Sequence, residues 1–216
     1  MEQFIEDGSH VKIGNIAFEV SGPSISLLTA ERTALNFMQR MSGIATQTRT
    51  MVDAIEGLPT KILDTRKTTP LLREFEKMAV RLGGGFNHRF GLYDMILIKD
   101  NHVDFAGGIA NAITACHEYM HHKGLQLKIE IETRNLDEVN QVLTHGGVNR
   151  IMLDNFSFEM LRKAVNLIGS KFETEASGGI TLQTIRQYAE CGVDFISVGA
   201  LTHHINSLDL SLKAVK

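Results

Sequence analysis

The sequence is poor in the residues that mark secreted and disulfide-rich proteins. Its 216 residues include no Trp, three Pro and two Cys, and Cys116 and Cys191 form no C-x-x-C pair. This excludes a disulfide scaffold and a cysteine-based zinc knuckle, and it favours a reducing, cytoplasmic location. A hydrophobic content of 43% with 22% charged residues predicts a globular chain that buries its own core.

Long apolar runs and an excess of one charge are also missing. No stretch approaches the ~20 apolar residues of a membrane helix, and the first seven residues are acidic, so we expect neither secretion nor membrane insertion. With 22 Lys and Arg against 25 Asp and Glu, the formal net charge is −3. This balance argues against a nucleic-acid-binding protein, so any anionic ligand needs a local cluster of cations.

From residue 29 onward, apolar runs of strand length alternate with amphipathic runs of helix length. Ser157 and Thr181 are suitable N-caps for two of the helices. The predicted strands are 61–65, 94–99, 127–133, 150–154, 171–177 and 194–199. Ionisable residues or glycines follow every one of them. Because such residues would encircle one site in a closed sheet, the pattern favours a parallel α/β barrel over residues 29–216 rather than an open doubly wound sheet.

Residues 1–28 differ from the rest. Val11, Ile13, Phe18 and Val20 alternate with polar residues around Gly14-Asn15, a pattern that predicts a short β-hairpin. Because an isolated hairpin is marginally stable in water, we expect this one to pack against the barrel or another chain.

The densest functional cluster is basic. Guanidinium groups bind carboxylates and phosphates in a bidentate manner, whereas lysine supplies a compact charge. Any one of these residues alone also suits a solvated surface. The cluster comprises Arg32, Arg66, Lys67, His88, Arg89 and Lys99.

Carboxylates stand opposite this cluster. Glu130 and Glu132 share one face of a predicted strand, and Asp154 ends the next strand. One carboxylate from each of two strand ends is typical of a magnesium site, which indicates Glu132 and Asp154. Buried ion pairs with Lys128 or Arg150 explain the same spacing equally well.

Two glycine-containing turns follow the last two predicted strands. Ser177-Gly178-Gly179 precedes the Thr181-capped helix, and Gly199 ends the final strand with His203 close behind. Glycines let main-chain amides approach an anion, and the last two loops of such barrels often bind a phosphate. These turns are the predicted phosphate site.

One motif points to different chemistry. His117-Glu118-Tyr119-Met120-His121 matches H-E-x-x-H, in which two histidines of a helix bind zinc. The predicted helix carries this motif away from the other polar groups, and no third ligand is evident. We therefore interpret it as the polar end of a helix.

Taken in order, the motifs resemble those of the quinolinate phosphoribosyltransferase family over essentially the whole chain. They are Glu31-Arg32-Thr33-Ala34-Leu35-Asn36, Ser42-Gly43-Ile44-Ala45-Thr46, Asp64-Thr65-Arg66-Lys67-Thr68, His88-Arg89, Lys99-Asp100-Asn101-His102, Leu153-Asp154-Asn155, Ser177-Gly178-Gly179 and Val198-Gly199-Ala200-Leu201-Thr202-His203. The resemblance implies a pentosyltransferase of NAD biosynthesis. Such an enzyme converts quinolinate and phosphoribosyl pyrophosphate to nicotinate mononucleotide, pyrophosphate and carbon dioxide.

The resemblance also implies roles for the motif residues. The positive pocket for quinolinate would comprise Arg32, Arg66, Lys67, His88, Arg89 and Lys99, with Lys67 also catalytic. Catalysis and Mg²⁺ binding would fall to Glu132 and Asp154, and the 5-phosphate loops would comprise Ser177, Gly178, Gly179, Gly199 and His203.

The family further implies a type II phosphoribosyltransferase barrel preceded by an open-sandwich domain, and a homodimer in which the partner supplies an arginine. We expect residues 1–28 to be a remnant of that sandwich domain, and no residue here matches the arginine. Three alternatives remain: a related enzyme with another acceptor, an inactive barrel that serves only in binding, and a zinc hydrolase. The combination of Arg66, His88 and Arg89 argues against another acceptor.

Overall fold

The computed structural model describes residues 1–215, and six parallel strands form its centre. They are β3 (Lys61–Leu63), β4 (Met95–Ile98), β5 (Lys128–Thr133), β6 (Arg150–Asp154), β7 (Glu173–Ser177) and β8 (Phe195–Ser197). The six predicted strands are therefore confirmed, each to within two residues at either end.

The strands are ordered β3-β8-β7-β6-β5-β4 in the sheet. In a barrel the first strand pairs with the last, as β3 pairs with β8 here. In a doubly wound sheet, by contrast, the strand order reverses at an internal strand. Phe86 continues the sheet on the free side of β3 through a bridge to Leu63. Parallel α/β architecture is thus confirmed, with the ladder open between β3 and β4 among residues 1–215.

Helices cover the outside of the sheet. They are α1 (Ser24–Ala54), α2 (Arg73–Leu82), α3 (Asp100–Ala106), α4 (Ile109–Lys123), α5 (Leu136–His145), α6 (Phe158–Ile168), α7 (Ile185–Ala189) and α8 (Ala200–His203). Among residues 1–215, none is both long and apolar enough to cross a bilayer.

Alternation along β5 separates the core from the site. Ile129 and Ile131 are fully buried in the hydrophobic core beneath the helices. Glu130 lies on the opposite face, where it meets His88. The apolar face of the sheet therefore holds the helices, and the other face carries the polar side chains.

Two local predictions meet different outcomes. Ser157 caps α6 by accepting a hydrogen bond from the Met160 N–H at 3.3 Å. The Thr181 cap is wrong, because residues 181–184 form a turn and α7 begins only at Ile185. The Ser177-Gly178-Gly179 turn therefore does not lead directly into a helix.

The N-terminal hairpin exists, but its strands lie elsewhere than predicted. The antiparallel pair is β1 (Glu2–Gln3) with β2 (Phe18–Glu19), whereas Ile13 is fully exposed. Gly8, at φ +83°, lies against the end of α2, where an added Cβ would stand 3.1 Å from the Leu82 carbonyl oxygen. The predicted boundary between residues 28 and 29 falls inside α1 and stays a prediction.

Candidate functional site

A buried ion pair organises the loops at the carboxyl end of β3. Lys77 Nζ, from α2, lies 2.5 Å from Asp64 Oδ1 and donates to the His88 carbonyl at 2.9 Å. Asp64 also accepts from the His88 N–H at 2.8 Å and from the Asn87 amide at 2.6 Å. Burial raises the pKa of Asp64 and lowers that of Lys77, against their mutual attraction. The pair fixes the segment that carries Arg89.

A cationic pocket of about 400 Å³ opens beside this segment. Arg66, Arg89 and Lys99 contribute its positive charges, and β4 forms its apolar floor. Burial, followed by the nearby Arg66, lowers the pKa of Arg89. Arg66 Nε is buried and has no hydrogen-bond partner among the described residues. Two adjacent guanidinium groups with an unpaired donor are suited to an anionic ligand.

His88 precedes the pocket residue Arg89 in the sequence, but its side chain lies against β5 and β7. Its side chain is buried, and its Nε2 lies 3.0 Å from Glu130 and 3.5 Å from Glu175. Burial lowers the pKa of His88, and it raises that of Glu175 to about 8 with the Glu130 charge as the second cause. His88 is therefore not among the side chains that line the pocket.

Glu132 and Asp154 lie near each other at the ends of β5 and β6. Burial, then repulsion from Asp154, raises the pKa of Glu132, and Lys99 opposes that shift. Ser177 Oγ and Asn155 Nδ2 each donate to Asp154 at 2.5 Å. The structure thus brings these two carboxylates and Lys99 together.

The alternative ion pairs are formed differently from the prediction. Arg150 does bind carboxylates, but they are those of Glu173 and Glu175 on β7. Lys128 is exposed. Ion pairs with Arg150 therefore form on β7, and they do not involve Glu132 or Asp154.

The predicted phosphate loops form two separate contacts. Gly199 lies against Lys67 and His203, since an added Cβ would stand 3.3 Å from Lys67 Cδ and 2.8 Å from His203 Nε2. The Thr202 hydroxyl donates to the Lys67 carbonyl at 2.9 Å. Burial, His204 and Lys67 lower the pKa of His203, in that order. Lys67, Gly199 and His203 thus share one corner of the site.

The other predicted loop lies against Asp154. Asn155 adopts a left-handed φ of +56°, and its side chain packs so closely on Gly178 that a Cβ there would clash. Gly179 is exposed, whereas the Ser177 hydroxyl is committed to Asp154.

Two predicted features lie apart from this assembly. Arg32 is exposed on α1 and does not line the pocket. His117 Nε2 lies 2.7 Å from the Gly147 carbonyl, which engages one nitrogen of the H-E-x-x-H motif. Among residues 1–215, the one group of three metal-ligating side chains is His88, Glu130 and Glu175.

Several residues have structural roles that the sequence analysis did not assign. Asp64 and Lys77 shape the loops, Asn155 and Ser177 hold Asp154, and Arg150 joins Glu175 inside the sheet. Charged residues at alternate positions of β5 and β7 were the available signal, because a strand covered by helices on one face can place charges only on the other.

Comparison with known proteins gives the family. The family model described as quinolinate phosphoribosyl transferase, C-terminal domain, matches residues 44–213, and the corresponding N-terminal domain model matches residues 1–42. The chloroplastic nicotinate-nucleotide pyrophosphorylase (carboxylating) of Arabidopsis thaliana is 49% identical over 99% of the chain and 65% of that relative. A probable nicotinate-nucleotide pyrophosphorylase of Bacillus subtilis is 44% identical over 96% of the chain and 70% of that protein.

Solved structures agree. Nicotinate-nucleotide pyrophosphorylase from Francisella tularensis superposes with a TM-score of 0.91 at 47% identity, covering 97% of the chain and 73% of that protein. The similar NadC of Streptococcus pyogenes gives 0.91 at 42% identity over 97% of the chain and 72% of that protein. The chain spans 65% of the length of the Arabidopsis relative. By sequence and by fold, it belongs to the quinolinate phosphoribosyltransferase family.

Proposed function

We propose that this chain transfers the phosphoribosyl group of phosphoribosyl pyrophosphate to quinolinate, with decarboxylation, to give nicotinate mononucleotide. The pocket formed by Arg66, Arg89 and Lys99 carries the proposal, because three cations and an unpaired Arg66 Nε suit a small dicarboxylate. Family membership supports the same substrate.

The cationic wall would orient the acceptor. Arg66 and Arg89 would bind the two ring carboxylates, and this would direct the pyridine nitrogen toward the ribose. The nitrogen lone pair forms a bond to the anomeric carbon while the bond to the pyrophosphate oxygen breaks. The 2-carboxylate then leaves as carbon dioxide, its bonding electrons pass to the ring carbon beside the positive nitrogen, and a proton replaces it.

Magnesium fits Glu132 and Asp154. The two half-buried carboxylates repel each other, and this repulsion contributes to the raised pKa of Glu132. Two such oxygen ligands beside a phosphate are what Mg²⁺ prefers. The bound ion would neutralise charge on the departing pyrophosphate. Ser177 and Asn155 would hold Asp154 in place, and Lys99 would balance Glu132.

The 5-phosphate would lie just beyond the ends of β7 and β8. Lys67 and His203 meet at Gly199, and Gly179 is exposed to receive an anion. His203 would donate to the phosphate. Arg32 and His88 stay predicted substrate residues, although Arg32 is exposed and His88 is buried.

A homodimer or a higher homo-oligomer is the predicted assembly, and the dimer is the form tested first. Leu71, Leu92 and Tyr93 expose 99%, 71% and 69% of their surface, and Leu92 lines the pocket. Exposed apolar residues of this size suit a protein interface. Light scattering at micromolar concentration should give twice the chain mass, and a monomer that is nevertheless active would contradict the assembly.

A cytoplasmic location stays a prediction.

The decisive assay supplies quinolinate, phosphoribosyl pyrophosphate and Mg²⁺ and detects nicotinate mononucleotide by mass spectrometry. Nicotinate should not replace quinolinate, because a missing carboxylate leaves one of the pocket cations unpaired. Equal turnover of nicotinate would favour another acceptor. Binding of quinolinate without turnover would support the inactive barrel.

A further inference from the structure

A group of charged side chains fills the interior of the sheet beneath the pocket. It comprises His88, Glu130 from β5, Arg150 from β6 and Glu175 from β7, and both glutamates are fully buried. Arg150 donates to Glu175 at 2.9 Å. Apolar side chains would fill the same space without the cost of desolvating charges, so the group calls for an explanation.

The contact with the Arg89 main chain shows which nitrogen of the His88 ring carries the proton. The Arg89 N–H donates to His88 Nδ1 at 2.7 Å. Because a main-chain amide only donates, Nδ1 is the acceptor and the ring hydrogen lies on Nε2. Nε2 in turn lies 3.0 Å from Glu130 and 3.5 Å from Glu175, close to both carboxyl groups although aligned with neither.

This ring is one of the anchors of the pocket wall. Asp64 and Lys77 hold the N–H and the carbonyl of His88. The bond from the Arg89 N–H to the ring holds the next peptide. The guanidinium of Arg89 then donates to the Met95 carbonyl at 3.3 Å and lines the pocket.

We propose that Glu130 and Glu175 are positioning residues that hold His88 as its Nε2–H tautomer, so that the ring fixes the Arg89 main chain and keeps its guanidinium at the pocket wall. The inference rests on the proposed function, in which Arg89 binds a substrate carboxylate. In this arrangement neither glutamate touches the substrate.

A metal ion is the competing occupant of the group. One ligand atom each from His88, Glu130 and Glu175 lies within 4.8 Å of the others. Arg150 already supplies a positive charge at Glu175, which favours hydrogen bonding to the ring. Stoichiometric metal in the purified protein, measured by elemental analysis, would overturn the proposal.

The first test reads the tautomer directly and needs no substrate. Nitrogen-15 NMR of the full chain should show His88 Nε2 protonated and Nδ1 bare. Glu130→Met, which removes the acceptor, should admit the Nδ1–H form, and Glu130→Gln, which keeps an oxygen there, should restore the original spectrum. A protonated Nδ1 in the unsubstituted chain, or a tautomer unchanged in Glu130→Met, would overturn the proposal.

The second test reads function. Glu130→Met should raise KM for quinolinate by about 10-fold with little change in kcat, because Arg89 would be held less firmly for binding. Interaction energies between residues in contact are typically of this size. Adding Glu130→Met to His88→Ala should cost nothing further, because Glu130 acts through the ring. Additive losses would overturn the proposal. Glu173→Met is the matched control. Glu173 binds the same Arg150 but is more exposed than Glu175 and does not contact His88, so its loss should leave KM nearly unchanged.

The two tests separate the proposals. If the unsubstituted chain does not bind quinolinate, the proposed function fails and the tautomer measurement alone decides the role of Glu130. If Glu130→Met does not fold, the spectrum of the unsubstituted chain still decides whether the ring is the Nε2–H form.

Discussion

Glu130 and Glu132 are two residues apart on β5 and point to the same side of the sheet, yet their surroundings differ. Glu130 is fully buried beside Glu175, whereas Glu132 is half-buried at the rim beside Asp154. Arg150 and His88 surround the inner pair, and Lys99 stands near the outer one. Access to solvent distinguishes the two pairs: the inner carboxyls contact only protein groups, whereas the outer ones are partly open to solvent.

Removing the cation of the inner pair should have the largest effect. Arg150→Ala removes the cation that binds Glu175 and lies near Glu130, and it leaves both buried carboxyl groups without that partner, so we expect a loss of ~3–5 kcal/mol in the free energy of unfolding. Urea denaturation measures it. Lys163→Ala, which removes an exposed pair with Glu159, is the control and should leave stability nearly unchanged. Equal stability of both variants would show that the inner pair needs no cation.

The outer pair should affect rate instead of stability. Glu132→Gln or Asp154→Asn should lower kcat ~10²-fold or more, because each removes a preorganised charge from the reacting centre. Quinolinate affinity, measured by calorimetry, should stay nearly constant. A variant that unfolds, or that loses affinity as much as rate, would make the outer pair structural like the inner one.

The cationic wall should show the reverse pattern. Arg66→Ala or Arg89→Ala should weaken quinolinate binding roughly 10- to 100-fold, the effect of losing a hydrogen bond to a charged group. Arg81→Ala, at an exposed position of α2, is the matched control and should bind normally. If the wall variants kept their affinity but lost kcat, the wall and the outer pair would exchange roles.

The smallest effect concerns pH. Because burial raises the pKa of Glu175 to about 8, the folded chain retains a proton that the unfolded chain releases. The stabilisation from this group is full below the unfolded pKa and is lost as pH rises toward 8. The stability of the unsubstituted chain relative to Glu175→Gln should therefore fall with pH, by at most ~1.4 kcal/mol per unit. Denaturation at pH 5.5, 6.5 and 7.5 measures it, and a constant difference would contradict the shift.

The sequence predicts the sheet well because helices cover all its strands. A covered strand needs apolar residues, which stand in the sequence as continuous or alternating runs. It fails at the hairpin, since the alternation at Val11 and Ile13 occurs in exposed residues that belong to neither strand of the hairpin. Single residues of the outer pair and the pocket were found from their positions at strand ends.

The inner group was not predicted, because its partners meet only after folding. Within this group Arg150 and Glu175 are 25 residues apart, and the neighbouring Asp64–Lys77 pair spans 13 residues. Spacing along the sequence identifies charged residues but does not show which of them contact each other in the folded chain. The tautomer of His88 is recognised only from the direction of the Arg89 N–H in the folded chain, which a sequence does not contain.

Pairing between β3 and β8 also affects how the chain folds during synthesis. The Lys61 N–H bonds to the Asp194 carbonyl, and the Thr60 hydroxyl bonds to Val193 across 133 residues. Until the ribosome has released β8, one edge of β3 has no partner, and such edges invite pairing with other chains. Chains halted before residue 193 should therefore aggregate readily and depend on chaperones, whereas those halted after Thr202 carry every strand of the sheet.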